Sequence, residues 1–573
     1  MNATTEDRVQ KTQFRDYLPI LEWLPKYDRG WLRGDVLAAA TVWALVVPQA
    51  IAYAQIAGLP PQAGLFATFA ALIGYALFGT SRQVIVSPTS STAAISAAIV
   101  GTIALGDSTR YADLSSALAL LVGLAFIVFG IGKVGFISRF IAPAVQIGFM
   151  FGLGLTIIIG QVPNLLGLPG GEGDFFPKLW QVITNLSHIN PWTAVIGLGS
   201  LAALFAMKKF APRLPAALLM VLVSIIVVTA FGLAQEGVDV IGVVNGAIPL
   251  PSLPRVSFDE LVILLPGALA ISVIGFAETI TVADDFAEKH KYEIRPNQEL
   301  VAVGAANIFS GFFQGFIVGG GASQSAANDA AGARSQIVSV VVSVLTVLTL
   351  LFLLPLFANL PQAVLSAIVI VAVTGFLNVK ALQRIAHLRR DSFYLALFAL
   401  VSVLLLGILP GLLIAVTLSI LLILGFFARP PTSVLGNLPG TDAYVPIASE
   451  PTAQLIPGLM IFRLDAPLLS LNAKRMRDHL RQELHAAKTS TRVVILDLSF
   501  NSELDIQGLD ILNALYDELR AQSIELWLAN VYQAPRAMLE RGGVVEKIGA
   551  ANIFLTVRAA VQAFQNQNMD SNN

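Results

Sequence analysis

The chain has 573 residues, of which 55% are hydrophobic and only 13% charged, with a formal net charge of -1. That composition excludes an ordinary soluble enzyme and a disordered chain, and near-neutrality argues against nucleic acid as a partner. The absence of cysteine excludes disulfides, thiolate metal sites and thiol catalysis, and the five histidines (His188, His290, His387, His479, His485) are scattered outside the apolar runs, so no metal site or cofactor is expected.

Residues 1–33 form a basic lead-in with Arg8, Lys11, Arg15, Lys26, Arg29 and Arg33 and no apolar signal region, which predicts a cytosolic start. From Gly34, apolar runs of about 17 to 25 residues repeat, each able to cross about 30 Å of hydrocarbon. They predict spans near 34–55, 62–79, 84–104, 112–132, 136–161, 193–207, 213–233, 259–285, 298–313, 316–333, 336–357, 360–379, 391–408 and 409–428. Connections after even-numbered spans carry Arg82; Lys133 and Arg139; Lys208, Lys209 and Arg213; Lys289, Lys291 and Arg295; Arg334; and Lys380, Arg384, Arg389 and Arg390. Long connections after odd-numbered spans carry Asp107, Glu172, Asp174, Glu236 and Asp239. The alternation puts both termini in the cytosol. It divides the spans into two sets of seven of opposite orientation, as inverted repeats require.

Two spans are broken. In Gln314–Arg334, Phe316, Ile317 and Val318 read as a short strand, Gly319, Gly320 and Gly321 break the backbone, and Ala322 to Ala331 reads as a small-residue helix opened by Ser323 and Ser325. Gln83–Ala94 repeats the pattern: Ile85 and Val86, then the breaker Pro88, then a helix start rich in Ser and Thr. Unpaired backbone at membrane depth is tolerated only where it is buried in protein or lines a site. A half-helix N-terminus there offers free N–H donors and partial positive charge, which suits an anion. Matched interrupted segments in two halves point to a transporter's binding site.

Arg429, Pro430 and Pro431 end the apolar pattern. A linker is expected over 429–440, a soluble domain over 441–566 and a disordered tail over 567–573. Val493–Leu498 and Ile524–Leu528 read as buried strands, with helices over 509–519, 533–541 and 556–565, which makes the domain α/β or α+β.

Val46 to Phe69, VVPQAIAYAQIAGLPPQAGLFATF, resembles the signature of the SulP sulfate permease family of anion transporters, which includes the solute carrier 26 proteins. Ala283 to Gly315 resembles the family's second signature, and the C-terminal domain resembles the STAS domain these proteins carry. The resemblance implies an all-α polytopic membrane protein of seven-plus-seven inverted repeats with a cytosolic α/β STAS domain. It implies a core domain (spans 1–4 and 8–11), a gate domain (spans 5–7 and 12–14) and a homodimer. It places the substrate between the third and tenth spans, among Pro88, Thr89 and Ser90 on one side and Gly321, Ala322, Ser323, Gln324 and Ser325 on the other.

Glu278 falls mid-span, and a carboxylate there should be protonated or partnered. Burial and a nearby anion both favour its neutral form, which is the physical basis for proton–anion symport. The competing role is a structural hydrogen bond to a neighbouring helix. Sodium-using members pair an acidic residue here with a hydroxyl one turn later, where this chain has Val282 beside Thr281. Gln49, Tyr53 and Gln55 lie on the first span, and Gln49 and Tyr53 share a helix face, suited either to an anion or to interhelical hydrogen bonds. Many members have arginine where this chain has Gln324, so the site depends on helix dipoles and neutral donors. Asp329 and Arg334 are expected to pair structurally, and Asp284, Asp285 and Lys289 to form a solvated helix end. Asp505 to Gly508 occupies the loop where related domains carry a phosphorylatable serine, so that switch is not expected.

These features predict a plasma-membrane transporter of a small anion, with sulfate or another oxyanion first and coupling to protons through Glu278. Sodium-coupled bicarbonate transport, dicarboxylate transport and a channel-like or exchanging mode remain open. Besides the anion and the lipid bilayer, the expected partners are a second copy of the chain and a cytosolic protein on the STAS domain. No enzymatic constellation is present.

Overall fold

An apolar run in lipid must satisfy its own backbone hydrogen bonds, and a helix does so within one segment. The computed structural model describes residues 18–570, apart from 105–106, 136–141, 172, 212–213, 244–245, 488–489 and 502–503. Arg8, Lys11, Arg15, Arg139, Glu172, Arg213 and the final tail residues 571–573 lie outside the described residues.

Each predicted interval holds a helix. Spans 1 to 5 are Leu32–Ile56, Pro61–Phe78, Ser90–Ala104, Ser108–Ile131 and Pro143–Leu166. Spans 6 and 7 are Pro191–Phe210 and Ala216–Phe231. Spans 8 to 10 are Phe258–His290, Pro296–Phe312 and Ala322–Ala330. Span 11, Ile337–Leu348, continues through π- and 3-10 turns to Asn359, and spans 12 to 14 are Gln362–Val373, Arg390–Leu406 and Ile408–Ala428. Among the described residues nine helices are long and apolar enough to cross a membrane unaided; span 3 has 15 residues and span 10 has 9. Two short helices were not expected: Phe175–Thr184 after span 5 and Val379–Leu388 after span 12, at equivalent places in the two halves.

Spans 1–4 and 8–11 pack chiefly on one another, and so do spans 5, 6, 12 and 13. Small residues allow the close approaches, since lipid provides no hydrophobic drive between helices. A Cβ on Gly64 of span 2 would stand 1.9 Å from the Ala50 carbonyl oxygen of span 1. One on Gly148 of span 5 would stand 1.9 Å from that of Ala396 in span 13.

The break in span 10 is shorter than the sequence suggested. The strand is Gly319–Gly320 (β2), paired antiparallel with Val86–Ser87 (β1) in the register Val86↔Gly320 and Ser87↔Gly319. Phe316, Ile317 and Val318 are buried but lie outside the ladder, with side chains taking their backbone groups: the Ser310 hydroxyl donates to Phe316 O (2.6 Å), and Asn307 both accepts from Val318 N (3.0 Å) and donates to Val318 O (3.1 Å).

By contact density the chain divides into 1–420 and 421–573. The second unit holds a six-stranded sheet ordered β4-β3-β5-β6-β7-β8: Thr432–Asn437 (β3), Tyr444–Pro446 (β4), Leu459–Leu464 (β5), Val493–Asp497 (β6), Glu525–Ala529 (β7) and Ile553–Phe554 (β8). β3 pairs antiparallel with β4 and β5, and β5 through β8 run parallel. Alternate residues of β5, β6 and β7 face opposite ways. Phe462, Leu496 and Leu528 meet Ala473–Ala486 and Ile506–Ala521, while Ile461, Ile495 and Trp527 meet the last helix, Val557–Asp570. The stretch 429–440 is therefore not a linker: β3 fills it, and its partner β5 lies some way down the chain, beyond the reach of local pattern. The last helix likewise runs past residue 566, to Asp570.

Because the Gly64 contact is backbone on backbone, Gly64→Ala is expected to cost about 1–3 kcal/mol and lower the melting temperature of the purified protein. Gly199→Ala, with nothing within 4 Å, should leave it unchanged.

Candidate functional site

The two-stranded ladder brings the starts of spans 3 and 10 face to face. Beyond the paired residues, Ile85 O accepts from Gly321 N (3.0 Å) and Ile85 N donates to Ser325 Oγ (3.0 Å). Pro88 has no N–H, so the ladder ends there, and span 3 begins at Ser90. First-turn N–H groups have no partner within their own helix. Ser90, Ser91, Ala322 and Ser323 therefore present backbone donors from both sides of one gap.

Gln324 is 2% exposed. Its Oε1 accepts from Ser87 Oγ (2.6 Å), and its Nε2 donates to Gln49 Oε1 (3.0 Å) and to Pro88 O (3.3 Å). The amide is spent on stapling the half-helices together. Ser325 is fully buried against Ile85, turned into the junction. Ala322 and Ser323 are exposed, and Ser323 lines a cavity of about 700 Å3 with Gln49, Lys208, Pro215 and Ile368. This cavity separates spans 1 and 10 from spans 6, 7 and 12, on the side of the basic connections. Gln55 instead lines a second cavity, of about 640 Å3, with Ala94, Thr156 and Lys178.

Span 1 sends one side chain to each half-helix: Gln49 to Gln324 of span 10, and Tyr53 to Ser90 of span 3. Span 8 does the same with adjacent residues. Ser91 Oγ donates to Glu278 Oε2 (3.1 Å), and Gly320 N donates to Thr279 Oγ1 (3.0 Å). Thr89 hydrogen-bonds the hydroxyls of Ser91 (2.9 Å) and Thr92 (3.0 Å), closing the first turn of span 3. Glu278 is the one charged group among these partners, and it is half-buried. Thr281 Oγ1 donates to Ala277 O (2.7 Å), a contact within its own helix, and Val282 is buried.

The expected pair of Asp329 and Arg334 does not form. Asp329 bonds Lys289 and His290 of span 8, each at 2.5 Å, so Lys289 belongs to an ion pair and not to a free helix end. The Arg334 backbone N–H instead donates to Asp35 Oδ1 (2.7 Å), and Ser335 Oγ to Asp35 Oδ2 (2.7 Å).

Several residues that hold the site were not singled out by sequence. Fully buried Glu299 accepts from Tyr75 Oη (2.7 Å), Thr80 N (2.7 Å), Thr80 Oγ1 and Ser81 N (3.0 Å), fixing the approach to β1. Gln336 Nε2 donates to Ser81 O (2.8 Å) and Val84 O (2.9 Å), and Asn328 Nδ2 to Gln83 O (2.9 Å). Their common signal is a polar residue inside or at the end of an apolar span.

In the second unit Asp505 caps Ile506–Ala521. It accepts from Gly508 N (2.6 Å), Ser470 N (2.7 Å) and Ser470 Oγ. Partial burial opposes its charge, but these bonds outweigh that and hold the carboxyl below its usual range.

Two interrupted helices meeting end to end inside inverted halves define a membrane carrier fold. The sulfate permease family profile matches residues 32–399 and the STAS domain profile residues 450–560. The chain belongs to the sulfate permease family and carries a C-terminal STAS domain. It is 37% identical over 540 residues to a "Probable sulfate transporter" of Mycobacterium tuberculosis, covering 94% of this chain and 96% of that one. Its fold matches the murine Slc26a9 anion transporter in the inward-facing state with a TM-score of 0.87 at 24% identity, covering 98% of this chain and 97% of that one. The transmembrane domain of a cyanobacterial bicarbonate transporter, BicA, matches with a TM-score of 0.61 at 22% identity, covering 67% of this chain and 98% of that one.

Replacing Gln324 with Leu strands Ser87 and Gln49 in a buried place, and Thr279→Val strands the Gly320 N–H. Each is expected to cost about 1–3 kcal/mol of stability in thermal unfolding. Ser323→Ala, at an exposed position, should cost no more than about 0.5 kcal/mol.

Proposed function

We propose that this protein is a secondary transporter that moves a small oxyanion, sulfate first, by movement of spans 1–4 and 8–11 against spans 5–7 and 12–14. The observation that carries the reading is the pair of facing half-helix N-termini, with Ser323 at the start of span 10 lining a cavity between the two groups of spans. The relative named as a sulfate transporter, matched over nearly its whole length, supports sulfate as the anion.

Charge supports proton coupling. Each half-helix end contributes roughly +0.5 elementary charge, so the two together supply about +1. A divalent anion beside an ionised Glu278 brings -3. Protonating Glu278 removes one negative charge from the same site, so anion and proton favour each other's binding. Sodium coupling has less support, because Val282 offers no side-chain oxygen.

The site opens to the cavity rimmed by Lys208, on the side of the basic connections. We place that side and both termini in the cytosol, which makes this an inward-facing conformation of a plasma-membrane protein. Lys208 would draw anions to the cavity mouth. The STAS domain serves packing between two copies of the chain or regulation of the membrane unit.

Purified protein in proteoliposomes tests the proposal by uptake of labelled sulfate, bicarbonate and a dicarboxylate. Sulfate uptake should be saturable and stimulated by an inward proton gradient, and Glu278→Gln should abolish the stimulation. Uptake that ignores the gradient and is unchanged in Glu278→Gln would refute the coupling. Stimulation by a sodium gradient alone would replace it with sodium coupling.

A further inference from the structure

Away from the β1–β2 ladder, four separate chain segments deliver cations to one cavity of about 390 Å3: Lys26 from the lead-in, Arg82 between spans 2 and 3, Arg295 between spans 8 and 9, and Arg334 between spans 10 and 11. All four side chains belong to exposed residues on the side of the basic connections. Glu22 and Glu293 also line the cavity, so its formal lining charge is +2 from four cations and two carboxylates. Glu22 lies 3.5 Å from Arg295, a loose and exposed pair of little strength. Arg82 stacks on the Tyr292 ring at 5.1 Å, which fixes its guanidinium while leaving its N–H fork free of a carboxylate among the described residues.

Two further observations point to a ligand. Trp23 lines the cavity, and its indole N–H is shielded from water with no acceptor among the described residues. An indole N–H can only donate, so this one lacks an acceptor oxygen. Beside the cavity, Leu21, Leu24 and Leu32 are 47%, 48% and 48% exposed, and Trp31 also lines it. Aromatic rings, exposed leucines and a basic pocket together are the chemistry of a membrane interface.

We propose that this cavity binds a phosphate-bearing ligand, either the headgroup of an anionic phospholipid or a soluble phosphate monoester. Arg82 and Arg334 supply planar forks suited to phosphate oxygens, and Lys26 supplies a point charge at the rim. The site is also placed to act on transport. Arg82 immediately precedes Gln83 and β1, and Arg334 follows span 10, with its own backbone N–H held by Asp35 (2.7 Å). A ligand bridging these residues ties together the entry to one half-helix and the exit from the other. It therefore stabilises the β1–β2 ladder without touching the proposed anion gap.

Binding is read by the melting temperature of the full-length protein in detergent, with sulfate present throughout to keep the gap occupied. The probes are short-chain phosphatidic acid, glycerol 3-phosphate and, as the neutral control, short-chain phosphatidylcholine. Saturable stabilisation is expected from phosphatidic acid. A matching response to glycerol 3-phosphate assigns a soluble phosphate, and its absence assigns the lipid. The double variant Arg82→Gln/Arg334→Gln should raise the half-saturating concentration by about tenfold or more per lost charge-assisted bond. Lys26→Gln, at an exposed rim residue, should shift it in the same direction and provides a second variant should the double variant fold poorly. Equal stabilisation by phosphatidylcholine, or half-saturating concentrations unchanged in the variants, would overturn the proposal.

Discussion

Everything in the membrane unit depends on one constraint: backbone exposed by two broken helices must be satisfied where no water reaches. The ladder itself pairs only two residues on each strand, too few to hold two helices in register unaided. The protein adds side chains at several polar groups that the ladder leaves over. Ser325 takes Ile85 N, Asn307 takes both groups of Val318, Thr279 takes Gly320 N, and Gln324 takes Pro88 O. What remains open is the small set of first-turn donors facing the gap, and that set is the anion site we propose.

The staples have an order that follows from the inverted repeat. Spans 1 and 8 occupy corresponding places in the two halves, and each reaches both half-helices. Gln49 and Tyr53 do so one helical turn apart, Glu278 and Thr279 side by side. This makes the two half-helices and their two flanking helices one body. A carrier whose site rides on such a body can change access by moving it as a unit, without dismantling the hydrogen bonds that shape the site. Asp35 and Glu299 extend the same logic to the ends of the broken spans, where chain reversals expose further N–H groups.

Much of this was legible in sequence. Two interrupted segments at corresponding places, and the alternation of basic and acidic connections, suffice to give the two half-helices and the span order. The role of individual polar residues was not legible. Gln324 was expected as a neutral donor to the anion, yet its amide faces the neighbouring strand, and nothing local distinguishes that direction from the gap. Ser323 and Ser325 look alike in sequence, but a difference of two positions on a helix turns one to the cavity and the other into the junction. Asp329 found its partners on span 8, not five residues away, because the short span 10 ends beside the end of span 8. β3 was hidden among Pro and Gly: its nearby partner β4 is only three residues long, and its other partner, β5, comes from a more distant segment.

The account stands most directly on where an oxyanion sits. Diffraction from crystals grown with selenate, a sulfate analogue whose selenium marks its position by anomalous scattering, would locate it. The account predicts one strong peak between the start of span 3 and the start of span 10, within hydrogen-bonding distance of backbone N–H groups among Ser90, Ser91, Ala322 and Ser323. A peak beside Lys208 with the half-helix gap empty would contradict it.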